Sequence, residues 1–176
     1  MLKTDSSALL LIDFQGRLMP AIAESDSVLE NATRLARAAR IMHVPIAATV
    51  QNPSGLGPLV DCLEPYPLST LSKMSFDATR ATDFANILPP DRKTMIVAGC
   101  EAHVCVLQTC LGMIEMGFEV IVVADAIGSR RLESRRAAID RLTQHDVEIV
   151  TTEMVLFEWL ENAAHPAFKV VLSLLK

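Results

Sequence analysis

Apolar and polar positions along this chain alternate between two periods. Short, nearly continuous apolar runs suit strands buried on both faces; longer runs with apolar residues every three or four positions suit amphipathic helices. Residues 7–13 are of the first kind, with Ala8 to Ile12 all aliphatic and an acid, Asp13, at the end. Ser25 or Asp26 is placed to cap a helix that runs to about Met42. Its apolar stripe is Val28, Leu29, Ala32, Leu35, Ala36 and Ala39. Pro45 opens a second strand over 46–50. Residues 51–77 break the rhythm with Pro53, Pro58, Pro65, Pro67, Gly55 and Gly57. A long irregular segment inside a compact domain is usually functional.

The rhythm then resumes. A short helix is expected over 79–87, a third strand over 93–98, and a helix over 102–116 between Gly99 and Gly117. A fourth strand over 119–124 again ends in an acid, Asp125. A charged helix over 132–144, a fifth strand over 147–151 and a helical region over 154–175, broken near Pro166, complete the chain. Strands alternating with helices predict an α/β fold, a parallel sheet covered on both faces. Such sheets place ligands at the carboxyl ends of their strands. That rule selects Asp13, Val50 to Asn52, Gly99 to Cys105, and Asp125 before any chemistry is considered.

The length of 176 residues fits one domain, 1–176, able to build a core without disulfides or a structural metal. The net charge is −5, with no basic run interleaved with aromatics, so nucleic acid is not an expected partner. Arg130, Arg131, Arg135 and Arg136 are mixed with Glu133 and Asp140 and read as a solvated helix face. No segment is long enough to span a membrane, and the first apolar run is too short for a signal-peptide core. Cys62, Cys100, Cys105 and Cys110 form no C-x-x-C pair and read as free thiols of a reducing compartment, the cytoplasm. The mean hydropathy of +0.32 points to an apolar face buried in a homo-oligomer.

Three residues carry candidate chemistry. Cys105 follows a strand-to-helix junction, where unpaired N–H groups and the helix dipole favour a thiolate and can hold an oxyanion. A packed structural thiol is the competing reading. Asp13 is a general base if partial burial raises its affinity for a proton, or else an acid satisfying loop N–H groups. Lys73, in Ser72-Lys73-Met74-Ser75-Phe76, is a cation for a thiolate or carboxylate, or a solvated charge. His103 stands two residues from Cys105, so on a regular helix it points away from the thiol. Cys100 and Cys110 have poor metal spacing and read as packed thiols. Gly55-Leu56-Gly57 lacks the Gly-Lys-Ser/Thr of a phosphate loop.

Taken in order, these segments resemble the isochorismatase-like cysteine hydrolase superfamily over nearly the whole chain. The matching stretches run from Ala8 to Gln15, from Ser72 to Phe76, from Gly99 to Val106, from Asp125 to Arg130, and from Thr152 to Phe157. The resemblance implies a three-layer Rossmann-like fold with a central parallel sheet of about six strands flanked by helices. It implies a catalytic set of Asp13, Lys73 and Cys105, and a non-proline cis peptide joining Cys100 to Glu101. It also implies an oxyanion hole from the backbone N–H groups of Glu101 and Cys105. Asp13 would take the thiol proton, and the thiolate would attack a small amide-like substrate through a thioester intermediate.

Two departures narrow the branch. Nicotinamidase members bind a metal through Asp and His residues after the second strand, but no histidine lies between His43 and His103, so no metal and no cofactor is expected. True isochorismatases, which cleave a vinyl ether, lack the nucleophilic cysteine. Residues 50–58 are similar to a branch of isochorismatase-domain hydrolases without an agreed substrate. There Gln51 and Phe76 would line the substrate pocket, and Phe14, Leu56 and His103 are expected to line it with them. Two alternatives stay open: an ether-cleaving hydrolase that uses only Asp13 and Lys73, and an inert binding or scaffold member.

Overall fold

The structure is a computed structural model that describes residues 1–176. Six strands form one sheet: β1 (Ser7–Ile12), β2 (Ile46–Gln51), β3 (Ser69–Lys73), β4 (Thr94–Cys100), β5 (Glu119–Gly128) and β6 (Glu148–Val150). Their order is β3-β2-β1-β4-β5-β6, and every neighbouring pair is parallel. Alternate side chains of the central strands feed opposite faces. Leu9, Leu11, Ile96 and Ala98 join a core of 31 buried residues with α1 (Ser25–Ile41), α6 (Thr152–Leu160) and α7 (Phe168–Leu172). Leu10, Ile12, Met95 and Val97 join a second core of 22 with α3 (Phe84–Ile87), α4 (Leu107–Glu115) and α5 (Leu132–Thr143). The result is three layers, helix on sheet on helix, as the alternation of apolar runs predicts.

Four local departures from the sequence expectations have physical causes. Strand β3 lies inside the segment read as irregular. It is an edge strand whose Leu71 is its only buried aliphatic, so its pattern is nearly invisible in sequence. Helix α1 begins at Ser25 with Glu24 as its N-cap, and no side chain caps it. Asp26 instead sits in the first turn, where the helix dipole favours an acid. The stretch expected as one helix over 102–116 opens with a π-helical turn, Ala102–Val106, before α4. Strand β5 runs past Asp125 to Gly128, and its register against β4 shifts between Val97 and Gly99. No helix of the protein is long and apolar enough to cross a membrane.

Candidate active site

The sheet order reverses at β1 and β4, which are neighbours although not consecutive. The chain leaves β1 toward β2 on one side and leaves β4 toward β5 on the other. In such sheets ligands bind at the carboxyl ends of the strands on either side of the reversal. Asp13 follows β1 directly, in a left-handed backbone conformation (φ 53°), and its N–H still donates to Thr49 O of β2 at 3.0 Å. Its side chain is fully buried. Asp13 Oδ1 accepts from Thr49 Oγ1 at 2.7 Å, and Oδ2 accepts from Lys73 Nζ at 2.7 Å.

Lys73 is not a loop residue: it ends β3, two strands away from β1, and its side chain is also fully buried. Its ammonium donates further to Gln51 Oε1 at 2.9 Å and lies 3.3 Å from Ser75 O. Every group around Nζ is an acceptor. A buried pair of this kind is held by geometry, because each charge without the other would be strongly destabilising.

Cys105 lies within the π-helical turn and is only 6% exposed. Burial pushes its thiol up to about 12, the negative charge of Asp13 adds to the rise, and Lys73 opposes it. Burial thus opposes the helix-start effect that the sequence suggests. Cys105 is the fourth residue of its turn. The Asp13 carboxylate is beside the thiol. Cys100 is likewise pushed up to about 12 by burial, and fully buried Cys110 is raised for the same reason. These two are packed thiols, while Cys62 is exposed.

The peptide joining Cys100 to Glu101 is cis. The Glu101 carboxylate turns toward Arg130, accepting from its backbone N at 2.9 Å and from its Nε at 3.0 Å. The residues expected to line a pocket are scattered. Gln51 is at the site, but its side chain is committed: Oε1 accepts from Lys73, and Nε2 donates to Met74 O at 2.8 Å. Phe76 is 53% exposed beside Lys73, whereas Phe14 is fully buried in the core on the α1 face. Leu56 is half-buried on the short helix α2 (Pro53–Leu56). His103 is half-buried with its Nδ1 3.0 Å from Ser129 Oγ. Asp125, selected by position, is structural: its Oδ1 accepts from Thr152 N at 2.8 Å and from Thr152 Oγ1 at 2.9 Å.

Two participants escaped the sequence reading. Thr49 holds Asp13 and carried a usable signal, a hydroxyl inside the apolar strand Ile46-Ala47-Ala48-Thr49-Val50. Gln15 is fully buried two residues beyond Asp13, and nothing in its neighbours tells a buried amide from an exposed one.

Comparisons with known proteins agree with this fold. The model of the isochorismatase domain matches residues 7–154. An isochorismatase domain-containing protein 2 from Danio rerio is 39% identical over 175 residues, 99% of this chain and 89% of that protein. A solved structure described as the MAR1 ribonuclease from Caenorhabditis elegans superposes with a TM-score of 0.92 at 31% identity, covering 98% of this chain and 91% of its own. The YcaC gene product from Escherichia coli, described as an octameric hydrolase of unknown specificity, superposes with a TM-score of 0.91 at 28% identity, covering 98% and 88%. YcaC from Pseudomonas aeruginosa, solved with a covalent acrylamide, superposes with a TM-score of 0.91 at 27% identity, covering 98% and 90%. The chain belongs to the isochorismatase-domain family of hydrolases.

Proposed function

We propose that this chain is a metal-independent cysteine hydrolase of small amide-like substrates, with Cys105 as nucleophile, Asp13 as general base and Lys73 as the fixed cation. The observation that carries this reading is the convergence of three buried groups: Asp13 directly after β1, Lys73 at the end of β3, and Cys105 in the π-helical turn after β4. The thiol there is influenced directly by the Asp13 carboxylate and the Lys73 ammonium, which themselves pair at 2.7 Å.

The chemistry follows from the protonation states. Asp13 takes the Cys105 proton as Sγ bonds to the carbonyl carbon. The tetrahedral oxyanion is held by the backbone N–H groups of Glu101 and Cys105. Asp13 returns the proton to the nitrogen as the C–N bond breaks, which releases ammonia or an amine and leaves a thioester. Water then attacks the thioester, again deprotonated by Asp13. The carbon–sulfur bond breaks, a carboxylic acid leaves, and the proton returns to sulfur. Lys73 keeps Asp13 oriented and offsets the negative charge through both halves.

The YcaC neighbour solved with a covalent acrylamide supports the presence of a reactive nucleophile in a protein of this fold. An RNA substrate gains no support from this chain, whose net charge of −5 opposes a phosphate backbone. A homo-oligomer is supported by the octameric relative and by exposed Met154 and Phe157 on α6. Four free cysteines suit a reducing compartment such as the cytoplasm.

The test is ammonia release from a panel of small primary amides and ureides, with wild type beside Cys105→Ala and Asp13→Asn. Loss of turnover by a factor of about 100 to 10,000 in Asp13→Asn, and complete loss in Cys105→Ala, is expected. Turnover that survives in Cys105→Ala would overturn the reading in favour of a hydrolase using Asp13 and Lys73 alone.

A further inference from the structure

Strand β1 stops short of its neighbour. The last paired residue is Ile12, opposite Thr49, and Asp13 then turns the chain away from the ladder. Strand β2 runs two residues further, to Gln51. On its β3 side Gln51 is paired with Lys73. On its β1 side no strand remains to take its N–H and C=O, and both groups lie in a buried residue. Unpaired buried backbone groups are rare because each costs about as much as a lost hydrogen bond.

The side chain of Gln15 fills that vacancy. Its Oε1 accepts from Gln51 N at 2.8 Å, and its Nε2 donates to Gln51 O at 3.0 Å. A primary amide presents one acceptor and two donors, so it imitates a peptide group facing the strand. The second Nε2 hydrogen reaches Gly57 O at 2.6 Å and ties down the turn after α2. Gln15 is itself fully buried. Its side-chain hydrogen bonds all go to Gln51 and Gly57, and none reaches Asp13, Lys73 or Cys105.

We infer that Gln15 is a positioning residue of the active site, continuing strand β1 by side chain so that Gln51 holds the Lys73 ammonium against Asp13 and Cys105. The chain of contacts is short. With the Gln51 backbone held, its side chain bridges two neighbours: Oε1 accepts from Lys73 Nζ at 2.9 Å and Nε2 donates to Met74 O at 2.8 Å. Lys73 Nζ then meets Asp13 Oδ2 at 2.7 Å. Releasing Gln51 frees the ammonium to leave the thiol, whose ionisation Lys73 favours. The inference rests on the proposed cysteine chemistry, of which it names one further part.

The experiment labels the native protein with limiting acrylamide near neutral pH and maps adducts on all four cysteines. Wild type is compared with Gln15→Met, which keeps the length and loses all three hydrogen bonds. Gln15→Glu, which keeps the acceptor for Gln51 N–H, is the second variant and carries the test if Gln15→Met does not fold. Exposed Cys62 is the internal standard, and buried Cys100 and Cys110 report loosening of the core. The inference predicts a fall of about tenfold or more in the Cys105 to Cys62 ratio, equivalent to one pKa unit at the thiol, while Cys100 and Cys110 stay unlabelled. A merely structural role moves the result the other way, because a loosened core exposes all three buried thiols and labels them faster. An unchanged or raised Cys105 ratio in the variants overturns the inference alone. Wild-type Cys105 labelling that Asp13→Asn leaves undiminished overturns the cysteine chemistry itself, and the inference with it.

Discussion

Raising the pH of the native protein should ionise none of the three buried thiols over the range in which ordinary thiols ionise. Cys100 and Cys105 are pushed up to about 12, and Cys110 is raised as well, in each case chiefly by burial. A group with that pKa is only about 0.1% ionised at pH 9 and about 1% at pH 10. The measurement is ultraviolet thiolate absorbance in a Cys62→Ser background, titrated from about pH 7 to about pH 10, where a free cysteine near 8.5 would be almost fully ionised. A flat trace is expected until the protein unfolds. The sign of the stability change follows from the same numbers. Thiols whose folded pKa lies above the unfolded one stabilise the native state below the unfolded value, and that contribution is lost as pH climbs toward the folded value. Each buried thiol should therefore remove about 1.4 kcal/mol of stability per pH unit above about pH 9, and three together about 4 kcal/mol, read from urea unfolding. An absorbance step that vanishes in a Cys105→Ser variant would refute the reasoning: the nucleophile would then be a standing thiolate with no need of Asp13 as its base.

Other consequences are equally direct. Lys73→Met should cost about 3–5 kcal/mol in chemical denaturation by leaving the Asp13 carboxylate buried alone. The double variant Asp13→Asn/Lys73→Met should cost less than the sum of its parts, and strict additivity would count against the pair. Gly112→Ala should destabilise by about 1–3 kcal/mol and lower turnover, because a Cβ there would stand 2.4 Å from Thr79 Oγ1 and 2.8 Å from Asp77 Oδ1. Those residues belong to the segment whose carbonyls face Lys73, so stability or turnover like wild type's would argue against that coupling. Sedimentation should show an oligomer at micromolar concentration that weakens in Phe157→Glu; a monomer in wild type would reject the apolar α6 face as an interface.

Much of the layer architecture was legible because parallel strands buried on both faces read as unbroken aliphatic runs, as Ala8 to Ile12 does. Strand β3 was not, because an edge strand buries one side of itself and its Ser-Thr-Leu-Ser-Lys pattern resembles a loop. That omission misplaced Lys73 as a loop cation although its role was read from the family motif. Asp13 and Cys105 were legible as strand-end positions, and the resemblance joined them. The burial of Cys105 was not, since it depends on packing that no single segment encodes. Gln51 was read as a free contact in the pocket, yet its amide is committed to Lys73 and Met74. Side-chain pairings between β1, β2 and β3 depend on register, which no single segment encodes.

The most direct test of Cys105 as nucleophile is acid quenching during turnover of an amide that releases ammonia, followed by peptide mapping. The account predicts the acyl mass on the peptide that carries Cys105, absent when the same mixture is made with Cys105→Ala. Steady ammonia release with no acyl adduct on any cysteine, undiminished in Cys105→Ala, would contradict it.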